Sequence, residues 1–449
     1  MQGPARILIV GKDTGNDKKM AKVLAEGGFE CAMGDIAQSA AELCGSRRPD
    51  VVILNMQSAP ARKAPDTFLA LAKTLKASPL SSRLRIMLVG TDKNMELADA
   101  AADIDDLLIG PVNPAQICHR LCSLVRLNTM HEELVRRLNT SAKYGLDAPA
   151  AIAPPSHIDN ATVLVLGDPT QFAMIEHSLA KHATLIGALS EGTALDYLTR
   201  RDFDAVLINA AAAIEPHIDF AKVVRGHSRL FNLPIVVLAD RDELEKCPQV
   251  FESDITDAIA KPYSRDELRI RINLLVRESR FRNSLKKIYQ QAKHIATSDA
   301  LTGLYSRGFA LEHITTMVKD AQRTSQGFSL ANLSIANMAE INETLGYASA
   351  DRIIRQVGEV IGLLIRGEDM AARYSGTEFI LALPDTPAER AQKAVLRIKG
   401  VVAHTEFAVE GHHAPISVRL DTHLAGFRQV DTAESLIKRS RSVDLRAAA

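Results

Sequence analysis

Four short apolar runs in the first part of this chain recur further along it, in the same order and at nearly constant separation. One match between short apolar runs carries little information, but four in one order indicate a duplicated structural unit. The four pairs are RILIVG at 6–11 with TVLVLG at 162–167, PDVVILN at 49–55 with FDAVLIN at 203–209, RIMLVG at 85–90 with PIVVLA at 234–239, and LLIGP at 107–111 with AIAKP at 258–262.

Each run is continuously apolar, which is typical of strands buried on both faces of a parallel sheet. Helical periodicity lies between the runs, for example at residues 18–26 and 172–180. The alternation predicts two consecutive doubly wound α/β domains, each of five strands and five helices, at residues 1–140 and 161–280. Residues 141–160, with three prolines among alanines, are predicted to link the two domains.

Composition restricts the kinds of partner. The 54 Lys and Arg residues balance the 54 Asp and Glu residues, whereas general nucleic-acid or membrane-surface binders carry a basic excess. The five cysteines include no CxxC pair, so we expect no zinc site, no other metal and no cofactor. No apolar run reaches the roughly 18 residues of a membrane span. We therefore expect a soluble, cytoplasmic, multidomain protein.

A helix is predicted from Arg265 to about Thr297, and its last part, residues 281–297, is predicted to connect to a third domain. Basic residues on its outer face, among them Arg277 and Arg282, are expected to be solvated. Apolar residues recur along the helix every seven positions, at Leu274, Phe281, Ile288 and Ile295. This stripe favours packing on a partner, as in a dimer stalk.

The two front domains resemble the receiver domain of bacterial response regulators, which has a CheY-like, flavodoxin-like fold. In that family an acidic pair and an Asp at strand ends bind magnesium, and the Asp accepts a phosphoryl group. In this chain Asn55 and Asn209 occupy the acceptor positions of the two copies. In the first copy, Gly11 and Lys12 replace the acidic pair. An Asn amide is a poor nucleophile and brings no charge to a metal. The resemblance implies two degenerate receivers used for docking or homodimerisation.

The last domain, residues 298–449, opens with DALTGLYSR at 299–307 and contains RYSGTEF at 373–379. These motifs resemble the GGDEF domain of diguanylate cyclases, an α+β fold like the palm of nucleotide cyclases, with a mainly antiparallel sheet. The family condenses two GTP molecules into cyclic di-GMP. Two receivers in front of a GGDEF domain resemble the PleD-type architecture over nearly the whole chain.

The resemblance also implies a degenerate catalytic site. Joining two GTP molecules needs two divalent ions, and these need carboxylate oxygens. The family's two metal-binding carboxylates align with Ser334 and Thr377, which are neutral, and Glu378 alone cannot hold two metals. The first glycine of the turn is Ser375, followed by Gly376. No basic residue near the end of the chain is a clear counterpart of the family's phosphate-binding residues.

Asn342 and Asp351 match the family positions that recognise guanine. A residual GTP-binding role remains open for them. The alternative, which we favour, is that they are ordinary polar residues at a helix end and on the surface, since triphosphate binding without metal would be weak.

One motif of the family is complete. Arg366 and Asp369 form an RxxD sequence five residues before the signature turn, the position of the inhibitory cyclic di-GMP site in this family. A guanidinium donates two hydrogen bonds to guanine O6 and N7 or to a phosphate, and a carboxylate accepts from guanine N1 and N2. Arg397, on a neighbouring helix, aligns with a second ligand-binding Arg of the family. The ordinary alternative is an exposed Arg–Asp pair of little energy.

These observations predict a cyclic di-GMP effector that binds the dinucleotide at the RxxD site of an inactive GGDEF domain and signals by domain rearrangement or partner recruitment. Within its family the pattern most resembles the PopA-like effectors, which implies recruitment to a cell pole and an adaptor role in ClpXP proteolysis during the cell cycle. The alternatives are a residual diguanylate cyclase, a phosphorylation-regulated response regulator, and a scaffold that binds no nucleotide.

Overall fold

The computed structural model describes the chain except for residues 1–4, 13–14, 39–41, 43–48, 59–63, 78–83, 91–101, 111, 146–157, 159, 168, 180–181, 212, 228, 231, 252–253, 292–296, 325, 411, 413 and 443–449. Most of the predicted linker at 141–160 therefore lies outside the described residues. The chain divides into two compact units. The amino-terminal unit comprises Pro4–Asn128 and Ile152–Ser284, and the carboxyl-terminal unit comprises Met1–Gly3, Thr129–Ala151 and Leu285–Ala449.

The amino-terminal unit contains two parallel sheets of five strands each. The first has the strand order β2-β1-β3-β4-β5 and the second the order β7-β6-β8-β9-β10, so both follow the same doubly wound pattern. The strands are β1 Arg6–Gly11, β2 Glu30–Asp35, β3 Val51–Asn55, β4 Arg85–Gly90, β5 Asp106–Ile109, β6 Ala161–Gly167, β7 Ala183–Ala188, β8 Ala205–Asn209, β9 Ile235–Asp240 and β10 Asp257–Lys261. The predicted parallel α/β domains are confirmed, and they are consistent with receiver domains.

Helices flank both sheets, because the strands bury both faces and need apolar cover. They are α1 Gly15–Glu26, α2 Ala64–Ala77, α3 Pro114–Ala142, α4 Phe172–Leu179, α5 Glu191–Arg200, α6 Glu215–Gly226, α7 Arg241–Lys246 and α8 Arg265–Gln291. The predicted helix from Arg265 thus ends at Gln291, and residues 292–296 are outside the described part of the chain.

Helix α8 is covered by its own chain. Leu274 belongs to the core of the first sheet, and Leu275 belongs to the core of the second. The apolar stripe on this part of α8 therefore reflects intramolecular packing, and it needs no second protomer.

The solvated outer face predicted for α8 is wrong for two arginines. Arg277 is 7% exposed and donates to the carbonyls of Ala102 and Ile104. The Arg282 side chain is 15% exposed and donates to Ser123 and Glu278. Both guanidinium groups are buried because they reach acceptors on other elements of the amino-terminal unit, which the sequence pattern of one helix does not reveal.

The carboxyl-terminal unit has a four-stranded antiparallel sheet in the order β12-β13-β11-β14, as predicted for the last domain. Its strands are β11 Phe328–Ile335, β12 Met370–Ser375, β13 Glu378–Pro384 and β14 Leu420–Gly426. Its helices are α9 Arg307–Thr324, α10 Met338–Leu345, α11 Tyr347–Leu364, α12 Ala388–His404 and α13 Ala433–Arg439. The helices cover both faces, with one core around Phe379 and another around Phe309.

The carboxyl half of α3 belongs to the carboxyl-terminal unit, from Thr129 onward. The sequence assigned residues up to 140 to the first domain, but the helix continues to Ala142 and its last turns pack on the last domain. Thr129 donates to Asp385, and Arg136 pairs with Asp320 at 3.0 Å. Among the described helices, none is both long and apolar enough to cross a membrane.

Candidate functional site: the Arg366–Asp369 turn

The RxxD motif forms a tight turn between α11 and β12. The Asp369 amide donates to the Arg366 carbonyl at 3.2 Å, and the Arg366 amide donates to Asp369 Oδ2 at 2.9 Å. The side-chain bond is the kind of local bond by which Asp replaces a backbone acceptor in a turn. The turn therefore fixes the backbone from which the Arg366 side chain extends.

Arg366 itself is exposed, and its guanidinium has no hydrogen bond or ion pair with the described residues. Arg397, on α12, is also exposed, and its Nη2 donates to the carbonyl of Leu364 at 2.8 Å. Leu364 ends α11, where helix carbonyls lack partners within the helix, so the position suits a cation. The structure thus places Arg397 at the end of α11, two residues before Arg366, and its role as a ligand-binding residue stays a prediction.

The Asp369 carboxyl group points inward. The residue is 6% exposed, and its Oδ1 has no hydrogen-bond donor among the described residues. Burial, reinforced by the neighbouring Glu368, raises the pKa of Asp369 to about 7. In this arrangement Asp369 holds the turn, and its predicted role as an acceptor for guanine N1 and N2 stays a prediction that requires the side chain to rotate outward.

The same turn occurs a second time in this unit. Arg428 and Asp431 make the equivalent bonds, 2.9 Å between Asp431 N and Arg428 O and 2.7 Å between Arg428 N and Asp431 Oδ2. There, however, the carboxylate is paired with Arg439. The turn geometry alone is therefore no mark of a ligand site. What distinguishes the Arg366 turn is a second exposed guanidinium nearby and a carboxyl group that forms no ion pair with any residue in the described part of the chain.

Arg137, on the carboxyl half of α3, holds the Arg366 turn from its buried side. Its Nη2 donates to the Glu368 carbonyl at 2.6 Å and its Nη1 to the Gly367 carbonyl at 3.3 Å. The side chain is 4% exposed, and its guanidinium lies 4.6 Å from the centre of the Tyr289 ring. Both middle residues of the RxxD sequence are thus fixed by one cation.

A buried ion cluster in turn holds Arg137. Its Nε donates to Glu133 at 2.8 Å, and His313 Nε2 lies 2.7 Å from the same carboxylate oxygen. Although burial opposes ionisation, His313 and Arg137 hold the pKa of Glu133 well below its usual range. Glu133 is 1% exposed, so the cluster places a paired charge in the interior of the carboxyl-terminal unit.

The raised pKa of Asp369 predicts a pH effect on stability. The folded carboxyl group keeps its proton up to about pH 7, whereas the unfolded one, with a pKa of 3.8, releases it earlier. The contribution of Asp369 to stability therefore falls as the pH rises from about 4 to about 7. Asp369→Asn is expected to gain about 2–4 kcal/mol over the wild type across that window, measured by urea unfolding at several pH values.

The second turn supplies the control. Asp431→Asn removes the negative charge that pairs with Arg439, and this variant is expected to lose stability at pH 7. An Asp369→Asn variant whose advantage over the wild type is the same at pH 4.5 and pH 7.5 would contradict the buried, protonated carboxyl group described above.

The signature turn 375–378 has one carboxylate, that of Glu378, and both of its oxygens accept hydrogen bonds from other side chains. Glu378 accepts from Arg441 Nε at 2.6 Å and from Arg441 Nη2 at 2.7 Å. It also accepts from Ser375 Oγ at 2.8 Å and from the Asn332 amide. Burial would raise the pKa of Glu378, but these hydrogen bonds lower it. A carboxylate offers about four lone-pair sites, and here two donors reach each oxygen.

The other residues that align with the family's catalytic positions lie close to Glu378. Ser334, near the end of β11, is opposite Glu378 in the sheet, and the Thr377 carbonyl accepts from Ile335 N. Gly376 has a φ of +25° in the turn. Arg373 braces this hairpin by donating to the Gly376 carbonyl at 3.0 Å. Among the described residues, no cluster of three His, Cys, Asp or Glu side chains is arranged to hold a metal ion.

The two guanine-recognition positions lie on consecutive helices. Asn342 is on α10, where its carbonyl accepts from Gly346 N, and Asp351 is exposed on α11. Gly346 joins the helices with a φ of +75°, a conformation that glycine adopts without strain. This arrangement leaves both residues at the surface or partly buried, and a GTP-binding role for them stays untested.

Asn55 and Asn209, at the predicted phosphoacceptor positions, are buried at the ends of β3 and β8. Asn55 donates from its amide to Asp17 Oδ1 at 2.6 Å, and Asn209 is 2% exposed. Asp17 is a fully buried acid that the alignment with Gly11 and Lys12 missed, because it comes from the first turns of α1. The Gln57 side chain spans the same edge by donating to the carbonyls of Gly90 and Gly110.

Sequence reasoning also missed Arg137 and Arg441. Arg441 was visible in the basic run KRSR at 438–441, but its partner Glu378 lies 63 positions away. Arg137 was visible only as one of two adjacent arginines after Glu133, a spacing that favours pairing within a helix. Neither sequence pattern identifies the distant backbone or carboxylate that the guanidinium binds.

The chain is similar to known proteins of bacterial signalling along most of its length. Residues 296–447 match the family model described as "Diguanylate cyclase, GGDEF domain". The chain is 24% identical over 442 residues to the response regulator PleD of Caulobacter vibrioides, covering 97% of this chain and 95% of that protein. It is 24% identical over 212 residues to the diguanylate cyclase DgcP of Pseudomonas aeruginosa, covering 47% of this chain and 30% of that one.

Among solved structures, the GGDEF domain of DgcB from Caulobacter crescentus, in complex with c-di-GMP, matches with 24% identity and a TM-score of 0.32. The match covers 33% of this chain and 85% of that one. The similarity to a response regulator over nearly the whole chain is consistent with the parallel-sheet domains that precede residues 296–447. The chain is thus similar to PleD over nearly its whole length, and its residues 296–447 match the GGDEF-domain model.

Proposed function

We propose that this chain is a cyclic di-GMP effector, which binds the dinucleotide at the Arg366–Asp369 turn and does not synthesise it. The observation that carries the proposal is that the Arg366 guanidinium is exposed and makes no hydrogen bond with the described residues. Arg137 holds the backbone of its turn, and Arg397 lies at the adjacent end of α11. A turn whose backbone is already held in place loses less conformational entropy on binding than a mobile loop would. Its fork suits guanine O6 and N7, or a phosphate.

In this proposal Arg366 and Arg397 contact the ligand, and Asp369 keeps the turn in place. A cyclic dinucleotide carries two phosphates and two purine edges, so it offers acceptors to both guanidinium groups at once. Rotation of Asp369 toward the ligand would add an acceptor for guanine N1 and N2, and it would expose a carboxyl group whose pKa is raised by burial.

The proposed lack of synthesis is supported by the hydrogen bonds of Glu378. A divalent ion needs carboxylate lone pairs, and those of Glu378 face Arg441, Ser375 and Asn332. Binding a metal there would require displacing the Arg441 fork and would place a cation beside a cation. Ser334 and Thr377 bring no charge that could compensate.

The signal would leave the site through Arg137, which joins the ligand-binding turn to α3. A ligand that binds one state of this turn more tightly shifts the population of that state. Homodimerisation through the front domains, recruitment to a cell pole and a PopA-like adaptor role in ClpXP proteolysis follow from the resemblance alone, and they stay predictions.

Two assays on the full chain test the proposal. With GTP and Mg²⁺ we expect no cyclic di-GMP, and with cyclic di-GMP we expect a saturable calorimetric titration. Product that forms in the wild type and disappears in Glu378→Ala would show a residual cyclase and contradict the proposal. A cyclic di-GMP titration without saturable heat would also contradict the proposal, and it would favour the alternative of a scaffold that binds no nucleotide.

A further inference from the structure

A cavity of about 410 Å³ in the amino-terminal unit is lined by three arginines from three different helices. They are Arg126 of α3, Arg225 of α6 and Arg282 of α8. Since α3 follows the first sheet along the chain and α6 lies within the second domain, the cavity is formed by both front domains. Its volume is that of a site for a small organic molecule, about 300–1,000 Å³.

Arg225 is held in place by neutral acceptors. It donates to the carbonyls of Leu233 and Asp254, at 2.5 and 3.1 Å, and to Thr256 Oγ1 at 3.1 Å. These bonds orient the guanidinium without cancelling its charge. Burial, opposed by Asp254 and reinforced by the charge of Arg282, lowers the pKa of Arg225 to about 10. A buried guanidinium with a lowered pKa is a cation that gains from a nearby anion.

Arg282 reaches the cavity from α8. Its Nη2 donates to Ser123 Oγ at 3.1 Å and to Glu278, but its Nε is buried and has no acceptor among the described residues. Its hydrogen-bonding capacity is therefore only partly used by the protein. The Glu278 carboxylate is shared with Arg120 at 2.8 Å, so it does not neutralise Arg282 alone.

Helix α3 presents a polar face to the same cavity. His119, Ser123 and Arg126 all line it, at positions i, i+4 and i+7 of one helix face. Burial lowers the pKa of His119, so the imidazole is neutral at pH 7 and offers one donor and one acceptor. A hydroxyl, an imidazole and several guanidinium groups around one volume are the partners of a phosphate ester.

We propose that this cavity binds a phosphate-bearing anion of nucleotide size. Arginine forks pair with phosphate oxygens in a bidentate manner, and Arg126, Arg225 and Arg282 all line this cavity. The site is independent of the Arg366 turn, which lies in the other unit. Because its walls come from both front domains, the anion would stabilise the arrangement of these domains that closes around it.

The test is calorimetric titration of the full chain with inorganic pyrophosphate and with GTP. We use Arg366→Ala, which keeps this cavity intact, as the background for a third titration with cyclic di-GMP. Saturable binding of at least one probe is expected, with affinity reduced about tenfold or more in Arg282→Met, since one charged hydrogen-bonding partner is worth about 1.5–3 kcal/mol. The three probes identify whether a simple polyphosphate, a nucleotide or a cyclic dinucleotide is preferred.

Arg200→Met is the control, because Arg200 is an exposed residue of the same unit whose side chain is 74% exposed and paired with Asp196. Arg126→Met removes another arginine that lines the cavity, and it is expected to weaken probe binding even if Arg282→Met folds poorly. If the heats do not saturate with any probe by about 10 mM, binding is too weak to represent a specific site, and the proposal would be overturned. Equal affinities in Arg282→Met, Arg126→Met and Arg200→Met would overturn it as well.

Discussion

Replacing Arg366 by alanine is expected to weaken cyclic di-GMP binding by about 100-fold or more, because charge-assisted hydrogen bonds contribute about 1.5–3 kcal/mol each and the guanidinium makes at least two. The effect is expected on binding and not on folding, since the side chain is exposed and makes no hydrogen bond with the described residues. Calorimetric titration of the full chain measures the affinity, and urea unfolding measures the stability.

Three further variants sharpen this prediction. Arg366→Lys keeps the charge but loses the fork, so it should recover only part of the affinity. Arg397→Ala should lose about tenfold, the effect of one charged contact. The matched control is Arg428→Ala, since Arg428 occupies the same position in the second turn of this unit. A loss in Arg428→Ala equal to that in Arg366→Ala would mean that the ligand responds to overall charge and not to this site.

Arg137→Met is expected to destabilise the carboxyl-terminal unit by about 3–5 kcal/mol, the usual cost of removing one member of a buried ion cluster. The substitution keeps an unbranched apolar side chain but removes the cation from Glu133, which is 1% exposed. It also removes the donors to the carbonyls of Gly367 and Glu368. Urea unfolding followed by circular dichroism measures the loss.

The same variant tests whether Arg137 positions the ligand site. We expect faster amide hydrogen exchange at Gly367–Asp369 and weaker cyclic di-GMP binding under conditions where the protein remains folded. Lys143→Met is the control near the end of the same chain segment, because Lys143 forms an exposed pair with Glu312 that contributes about 1 kcal/mol or less. A stable Arg137→Met variant with wild-type affinity would remove Arg137 from the account.

The sequence predicted those parts of the molecule whose signals are local. Continuous apolar runs identified the strands of the parallel sheets, and the antiparallel sheet followed from the family motifs. Asp299 and Thr302 illustrate a local motif, since the Asp299 side chain accepts from both the amide and the hydroxyl of Thr302. The position of Arg397 beside the RxxD turn was also predictable, because it followed from alignment with a family.

The remaining features depend on contacts between distant positions. Arg137 and Glu368 are 231 positions apart, and their bond uses a backbone carbonyl, which every residue has. The sequence also could not show that Asp369 points inward, because one Asp in an RxxD turn is paired with Arg439 and the other is not. Burial and charge pairing of this kind emerge only when the chain is folded.

The most direct test of the central claim is a crystal structure of the full chain grown with an excess of cyclic di-GMP. We predict a ligand in contact with the guanidinium groups of Arg366 and Arg397, while Arg441 still holds Glu378. A structure in which Arg366 faces only solvent, or in which the dinucleotide lies at the signature turn 375–378, would contradict the account.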